Sequence, residues 1–192
     1  MKARILDAAA LELNARGIKF TMNALASRLG ISKKTLYTYF PSKDAVIAGV
    51  VGAVLDDIDI QRKAILAKDL SLADRLAAIL TVKPKRFGEM NESVVSDIRC
   101  FYPNEWTKMQ EFHQQQLTII MALLEQGKIT GEIRAVNCHV AATMLVGSIS
   151  LLLEREFLTK QNLTISGALQ CFTDLFLNGV LNKQTSQNGG AA

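Results

Sequence analysis

The chain has 192 residues and a formal net charge of +4, a length that allows one small domain and a larger one with a sizeable core. The charge is uneven: residues 1–50 hold eight Lys/Arg against three Asp/Glu, whereas the remaining 142 hold fourteen against fifteen. Two distant histidines and three widely spaced cysteines exclude a disulfide framework or a zinc-binding motif, and only three prolines interrupt the chain.

Apolar residues recur at spacings of three and four almost throughout, which predicts an all-α protein. The first helix is expected from Arg4 to Gly17 and the second from Thr21 to Leu29, with Leu25, Ala26 and Leu29 on one stripe. Gly30 then supplies a left-handed turn residue, a conformation that costs a residue bearing a Cβ about 1–2 kcal/mol. Ile31 plugs the corner, and Ser32 caps a third helix ending at Tyr39, whose Leu36, Tyr39 and Phe40 continue the stripe. The pattern is that of a helix-turn-helix, in which Ala26 allows a close crossing. Lys33, Lys34, Thr35 and Thr38 are left on the free face, which suits a DNA major groove.

An ordinary helical hairpin with a solvated lysine pair is the competing reading. Three features favour DNA. Tyr37, Tyr39 and Phe40 are interleaved with the lysines, and Pro41 ends the helix ahead of a new N-cap at Ser42. A helix start carrying Lys43 and free N–H groups is a ready phosphate clamp, although Asp44 also complements the helix dipole. Finally, the positive charge of the whole chain comes from its N-terminal quarter.

The segment LGISKKTLYTYFPSKDAV resembles the DNA-binding domain of the TetR family, the tetracycline-repressor-like transcriptional regulators. The resemblance covers about the first 50 residues. It implies an N-terminal three-helix helix-turn-helix domain followed by a larger helical ligand-binding and dimerisation domain. It also implies roles residue by residue. Lys33, Lys34, Thr35 and Tyr37 match positions facing bases or nearby phosphates. Thr21, Tyr39 and Lys43 match positions on the phosphate backbone, and Ser32 opens the recognition helix. The family often has a small residue where Lys34 stands.

Further along, helix 4 is expected from Lys43 to about Ala67, with Asp56, Asp57 and Asp59 breaking its apolar run. Ser71 caps a helix over Leu72–Lys83, and Pro84–Asn91 reads as a bend carrying a solvated basic cluster. A long helix is expected over Asn104–Gln126, a loop over residues 127–131 (GKITG), and two more helices over Val136–Phe157 and Thr164–Leu181. The uncharged run Ala135–Leu153 contains Asn137, His139, Thr143, Ser148 and Ser150, which makes it a poor membrane span and a better buried helix. The expected domains are residues 1–48, 49–182 and a polar, disordered tail at 183–192.

The resemblance implies that the last two long helices pair with their copies in a homodimer, which reads a near-palindromic operator. It also implies a small-molecule effector among the middle helices. Phe87, Met90, Phe101, Trp106, Met109 and Phe112 are the candidate apolar lining, with Arg99 and Gln116 as polar anchors, against the alternative that they are plain core. Cys100, Cys138 and Cys171 sit among apolar residues and are expected to be buried thiols in a cytoplasmic protein without a secretory signal. No catalytic constellation, metal site or cofactor motif occurs. The expected function is a dimeric transcriptional repressor released from DNA by a largely apolar ligand. The alternative is a DNA-binding dimer controlled by a protein partner or by no ligand.

Overall fold

The computed structural model describes residues 1–85, 87, 92–152, 158 and 160–182. Among them are nine α-helices and no strand. They are α1 (Lys2–Arg16), α2 (Met22–Leu29), α3 (Lys33–Tyr39), α4 (Lys43–Leu66), α5 (Leu72–Leu80), α6 (Glu92–Phe101), α7 (Pro103–Thr130), α8 (Cys138–Leu152) and α9 (Ile165–Val180). A 3-10 turn, Gly17–Lys19, separates α1 from α2. The chain forms two compact units, the first comprising Met1–Gln61 with Lys83–Phe112, the second Arg62–Val82 with His113–Ala192.

In the first unit, Ile5, Ala9 and Leu13 of α1 recur every fourth residue and are buried with Phe20, Leu25, Leu36 and Ile47. Beneath them Glu12, a charged residue with 2% exposure, accepts from Arg28 Nε at 2.6 Å and lies 3.5 Å from Arg16 Nε. This ties α1 to α2 by charge as well as by packing, since a buried carboxylate requires such partners. Helix α6 was not expected from the sequence. Its Val94 and Ile98 are fully buried in the same core, and the Asp97 carboxylate accepts the Ile18 amide at 3.4 Å. Helix α4 also anchors residues 83–85: Asp57 accepts the Lys85 amide at 2.6 Å and Gln61 donates to the Lys83 carbonyl at 2.8 Å.

In the second unit, Leu76 of α5, Ile120 and Leu124 of α7, and Cys138, Ala142 and Leu145 of α8 share one core. Residues 127–130, expected as a loop, are the last turn of α7. The chain turns only at Gly131, whose φ is +78°. Gly127 survives inside the helix because its neighbours close over it: an added Cβ would run into Leu72 and Ile133. Beyond the turn, the segment is clamped to the end of α9. Ile133 bridges Leu181, Arg134 N–H donates to Val180 O at 2.9 Å and Asn182 N–H to Glu132 O at 2.8 Å. Helix α8 is described from Cys138 to Leu152. The rest of the helix expected to reach Phe157, the bend at 86 and 88–91, and the tail at 183–192 lie outside the described residues. No helix among the described residues is long and apolar enough to cross a membrane.

Two burial expectations are corrected. Cys138 is buried, but Cys100 and Cys171 are exposed. Cys100 follows inward Ile98 by two residues, and two helical positions turn a side chain to the opposite face. Burial, then the neighbouring Glu125, pushes the Cys138 thiol up from its ordinary value, which keeps it protonated and unreactive. Tyr39, expected in the core, is exposed, because Leu36 and Phe40 occupy the inward direction of α3 four residues apart.

The two glycines make contrasting predictions. Gly30→Ala is expected to cost about 1–2 kcal/mol from backbone strain alone, because nothing lies within 4 Å of the added Cβ. Gly127→Ala is expected to cost about 1–3 kcal/mol by overpacking, in spite of the better helix propensity of Ala. Urea unfolding distinguishes them: Gly30→Asn should regain part of the loss, and Gly127→Asn should lose more.

Candidate nucleic-acid interface

Three successive helix starts build this face. Thr21 Oγ1 accepts the Ala24 amide at 3.1 Å, Ser32 Oγ the Thr35 amide at 3.0 Å, and Ser42 Oγ the Ala45 amide at 3.0 Å. Each satisfies an N–H that the first turn of a helix leaves unpaired. Between α2 and α3, Gly30 takes φ 64° and ψ 31°. Its amide donates to Ser27 O and the Ile31 amide to Ala26 O, both at 3.1 Å. These are the paired bonds of a Schellman motif, which closes α2 and redirects the chain within three residues. Ile31 packs against the core at the corner.

Helix α3 is then committed on one side. Leu36 and Phe40 are buried, while Lys33, Lys34, Tyr37, Thr38 and Tyr39 are exposed and Thr35 is half-buried. Ser32 Oγ and Thr35 Oγ1 are 2.9 Å apart, and Thr38 Oγ1 donates to the Lys34 carbonyl at 3.0 Å. At the start of α4, the Lys43 ammonium lies 5.4 Å from the centroid of the buried Phe20 ring. A cation held over a ring in this way is positioned without a carboxylate neutralising it. The described geometry thus offers two exposed lysines and a hydroxyl-and-phenol set on one helix, with a third, ring-supported lysine at a neighbouring helix start.

Residues 5–50 match the family model described as bacterial regulatory proteins, tetR family. Residues 5–50 carry a DNA-binding domain of the TetR type. It is 28% identical to an uncharacterized HTH-type transcriptional regulator, YvaF of Bacillus subtilis, over 94% of this chain and 95% of that protein. It is 25% identical to the HTH-type transcriptional repressor KstR2 of Rhodococcus jostii, over 70% of this chain and 68% of that one. Among solved structures, a transcriptional regulator from Saccharomonospora viridis in complex with choline shares the fold at a TM-score of 0.79. It is 19% identical, over 95% of this chain and 98% of that one. Both of these curated relatives, YvaF and KstR2, are named as HTH-type transcriptional regulators.

The TetR-type effector candidates are scattered over different environments. Phe87 is buried in the core of the first unit and Met109 packs against that core. Arg99 and Phe101 are exposed, Trp106, Phe112 and Gln116 are half-buried, and Met90 lies outside the described residues. Phe101 lines a cleft of about 410 Å³ with Ile18, Asp44, Tyr102, Pro103, Asn104 and Glu105. The Tyr102 hydroxyl donates to Asp44 Oδ1 there at 3.3 Å, and burial followed by the nearby carboxylate raises the phenol above its ordinary value, so it stays a donor. The sequence reading missed Tyr102 and Asp97. Their one legible signal was the spacing of Val94, Ile98 and Phe101, which marks the helix that carries them.

Lysines 33 and 43 are expected to separate by salt. Lys43→Ala should weaken binding to all duplexes alike and reduce the salt slope by about one counterion. Lys33→Ala should weaken binding to a selected duplex more than to an unrelated one. Fluorescence anisotropy across a salt series checks both. A Lys33→Ala protein that bound its selected duplex as tightly as wild type would remove this residue from the groove-facing set.

Proposed function

We propose that this regulator is a homodimeric repressor. It reads a near-palindromic operator with α3 and leaves it when a small, largely apolar molecule binds. The observation that carries the reading is the two-sidedness of α3: Leu36 and Phe40 are held in the core while Lys33, Lys34, Tyr37 and Thr38 stand exposed. A helix presented in this way places side chains against base edges in a major groove. Thr21, Tyr39 and Lys43 take phosphates, which fixes register without reading sequence.

Dimer formation is supported by the outer faces of the second unit. Val140 and Met144 of α8 are 51% and 64% exposed, and Leu175 of α9 is 67% exposed. Large apolar groups left in water on long helices favour a partner surface, and an isologous pairing of α8 and α9 would cover them. Two copies then present two α3 helices to one face of the DNA. Repression is the activity named for the Rhodococcus relative, and a small-molecule complex is known for the Saccharomonospora protein. An effector would act here by favouring a dimer conformation with lower operator affinity. Phe101, Trp106, Phe112 and Arg99 of the first unit are the residues proposed to meet it, with Phe87 and Met109 shaping the wall from the core.

Selection of duplexes from a random pool at physiological salt tests the reading, because non-specific electrostatic binding is weak there. An inverted repeat is expected, with half-site centres about 34–36 Å apart or a multiple of that. Met144→Glu with Leu175→Glu should yield a monomer by sedimentation and lose the repeat. Recovery of unrelated sequences, or a wild-type monomer bound to a single half-site, would overturn the dimeric repressor.

A further inference from the structure

We infer that Thr38 is a specificity-determining residue that reads a thymine through its methyl group and not through its hydroxyl. The inference rests on the reading that α3 enters the major groove. It starts from two hydrogen bonds. Thr38 Oγ1 donates to the Lys34 carbonyl four residues back, at 3.0 Å, and Thr35 Oγ1 pairs with Ser32 Oγ at 2.9 Å. Both threonine hydroxyls are therefore turned onto their own helix. Thr38 is the more exposed of the two.

A threonine Cβ carries a hydroxyl, a methyl and a hydrogen, and in a helix the staggered rotamers are few. With the hydroxyl bonded to the carbonyl of the preceding turn, the methyl avoids that turn and points outward. The group that Thr38 offers to a partner is then apolar. In a major groove the apolar feature on a base edge is the C5-methyl of thymine. Using the hydroxyl to read a base would first require breaking its bond to Lys34 O, whereas the methyl is already in place. Lys34 stands one turn before Thr38 on the same side of the helix. A lysine donor beside a methyl contact matches a guanine next to a thymine, since guanine offers O6 and N7.

The test uses the full-length protein and the duplex recovered by selection. Its thymines are replaced one at a time by deoxyuridine, which removes the methyl and keeps every hydrogen-bonding group. For wild type, one thymine in each half-site should weaken binding about three- to fivefold on replacement, the effect of exposing one buried methyl group. Thr38→Ser should bind the thymine duplex about three- to fivefold more weakly and no longer distinguish deoxyuridine there. Thr38→Val, which keeps outward methyls and loses the hydroxyl, should retain both the affinity and the discrimination.

If Thr38→Ser kept the affinity and the deoxyuridine discrimination while Thr38→Val lost them, the hydroxyl would be the reader and the proposal would fail; loss in both variants would equally overturn a contact made by the methyl alone. It would also fail if every deoxyuridine duplex bound like the parent while Lys33→Ala still weakened binding. That result leaves α3 in the groove without a methyl contact. If neither the deoxyuridine series nor Lys33→Ala had an effect, α3 would not be the reading helix, and both readings would fall together. A selection returning no shared sequence has the same consequence.

Discussion

The turn at Gly30 is the constraint on which the DNA-binding face depends. Its positive φ lets two amides reach back to Ser27 and Ala26, so α2 ends with its carbonyls satisfied and α3 starts three residues later. A residue with a Cβ would meet no neighbour there, so the requirement is on the backbone and not on space. From that turn follow the position of Ile31 at the corner and the burial of Leu36 and Phe40. Once those two are inside, the exposed set on α3 is settled, because a helix of seven residues has only one other side.

The electrostatics of this face follow the same economy. Lys33 and Lys34 are exposed, while the one deeply buried charge of α1, Glu12, is matched by Arg28 and Arg16 on the scaffold. Basic residues are thus divided between holding helices together and remaining available to phosphates. Lys43 is supported by the Phe20 ring, an arrangement that orders the ammonium while leaving its charge available. The hydroxyls are divided in a similar way. Thr21, Ser32 and Ser42 accept amides at helix starts, and Thr38 bonds its own helix. What α3 can offer a partner is accordingly lysine donors and the phenols of Tyr37 and Tyr39, with the Thr38 hydroxyl already engaged.

The second unit is organised by a close approach and a clamp. Gly127 lets Leu72 and Ile133 close over α7, and the segment after Gly131 is held to the end of α9 by backbone bonds at Arg134 and Asn182. The inward residues of α8, Cys138, Ala142 and Leu145, recur at spacings of four and three. The same periodicity leaves Val140 and Met144 outward, so one helix feeds a core and presents an apolar surface. That arrangement has a simple physical origin: a helix that is apolar on nearly all sides cannot bury every side against a single layer.

The sequence by itself determined the helical class, the helix-turn-helix and its caps. Each rests on local chemistry: a glycine at the one left-handed position, Ser and Thr at helix starts, and apolar residues at helical spacing. The resemblance to the TetR DNA-binding domain was legible for the same reason, because the motif is contiguous. Tertiary structure alone decided what depends on distant partners. The extension of α7 through GKIT is stabilised by closure over Gly127, the existence of α6 by burial of Val94 and Ile98, and the exposure of Tyr39, Cys100 and Cys171 by which neighbouring positions took the inward direction. The hydroxyl of Thr38 belongs with these. Its residue type was plain from the chain, but only the folded helix bonded the oxygen to the Lys34 carbonyl.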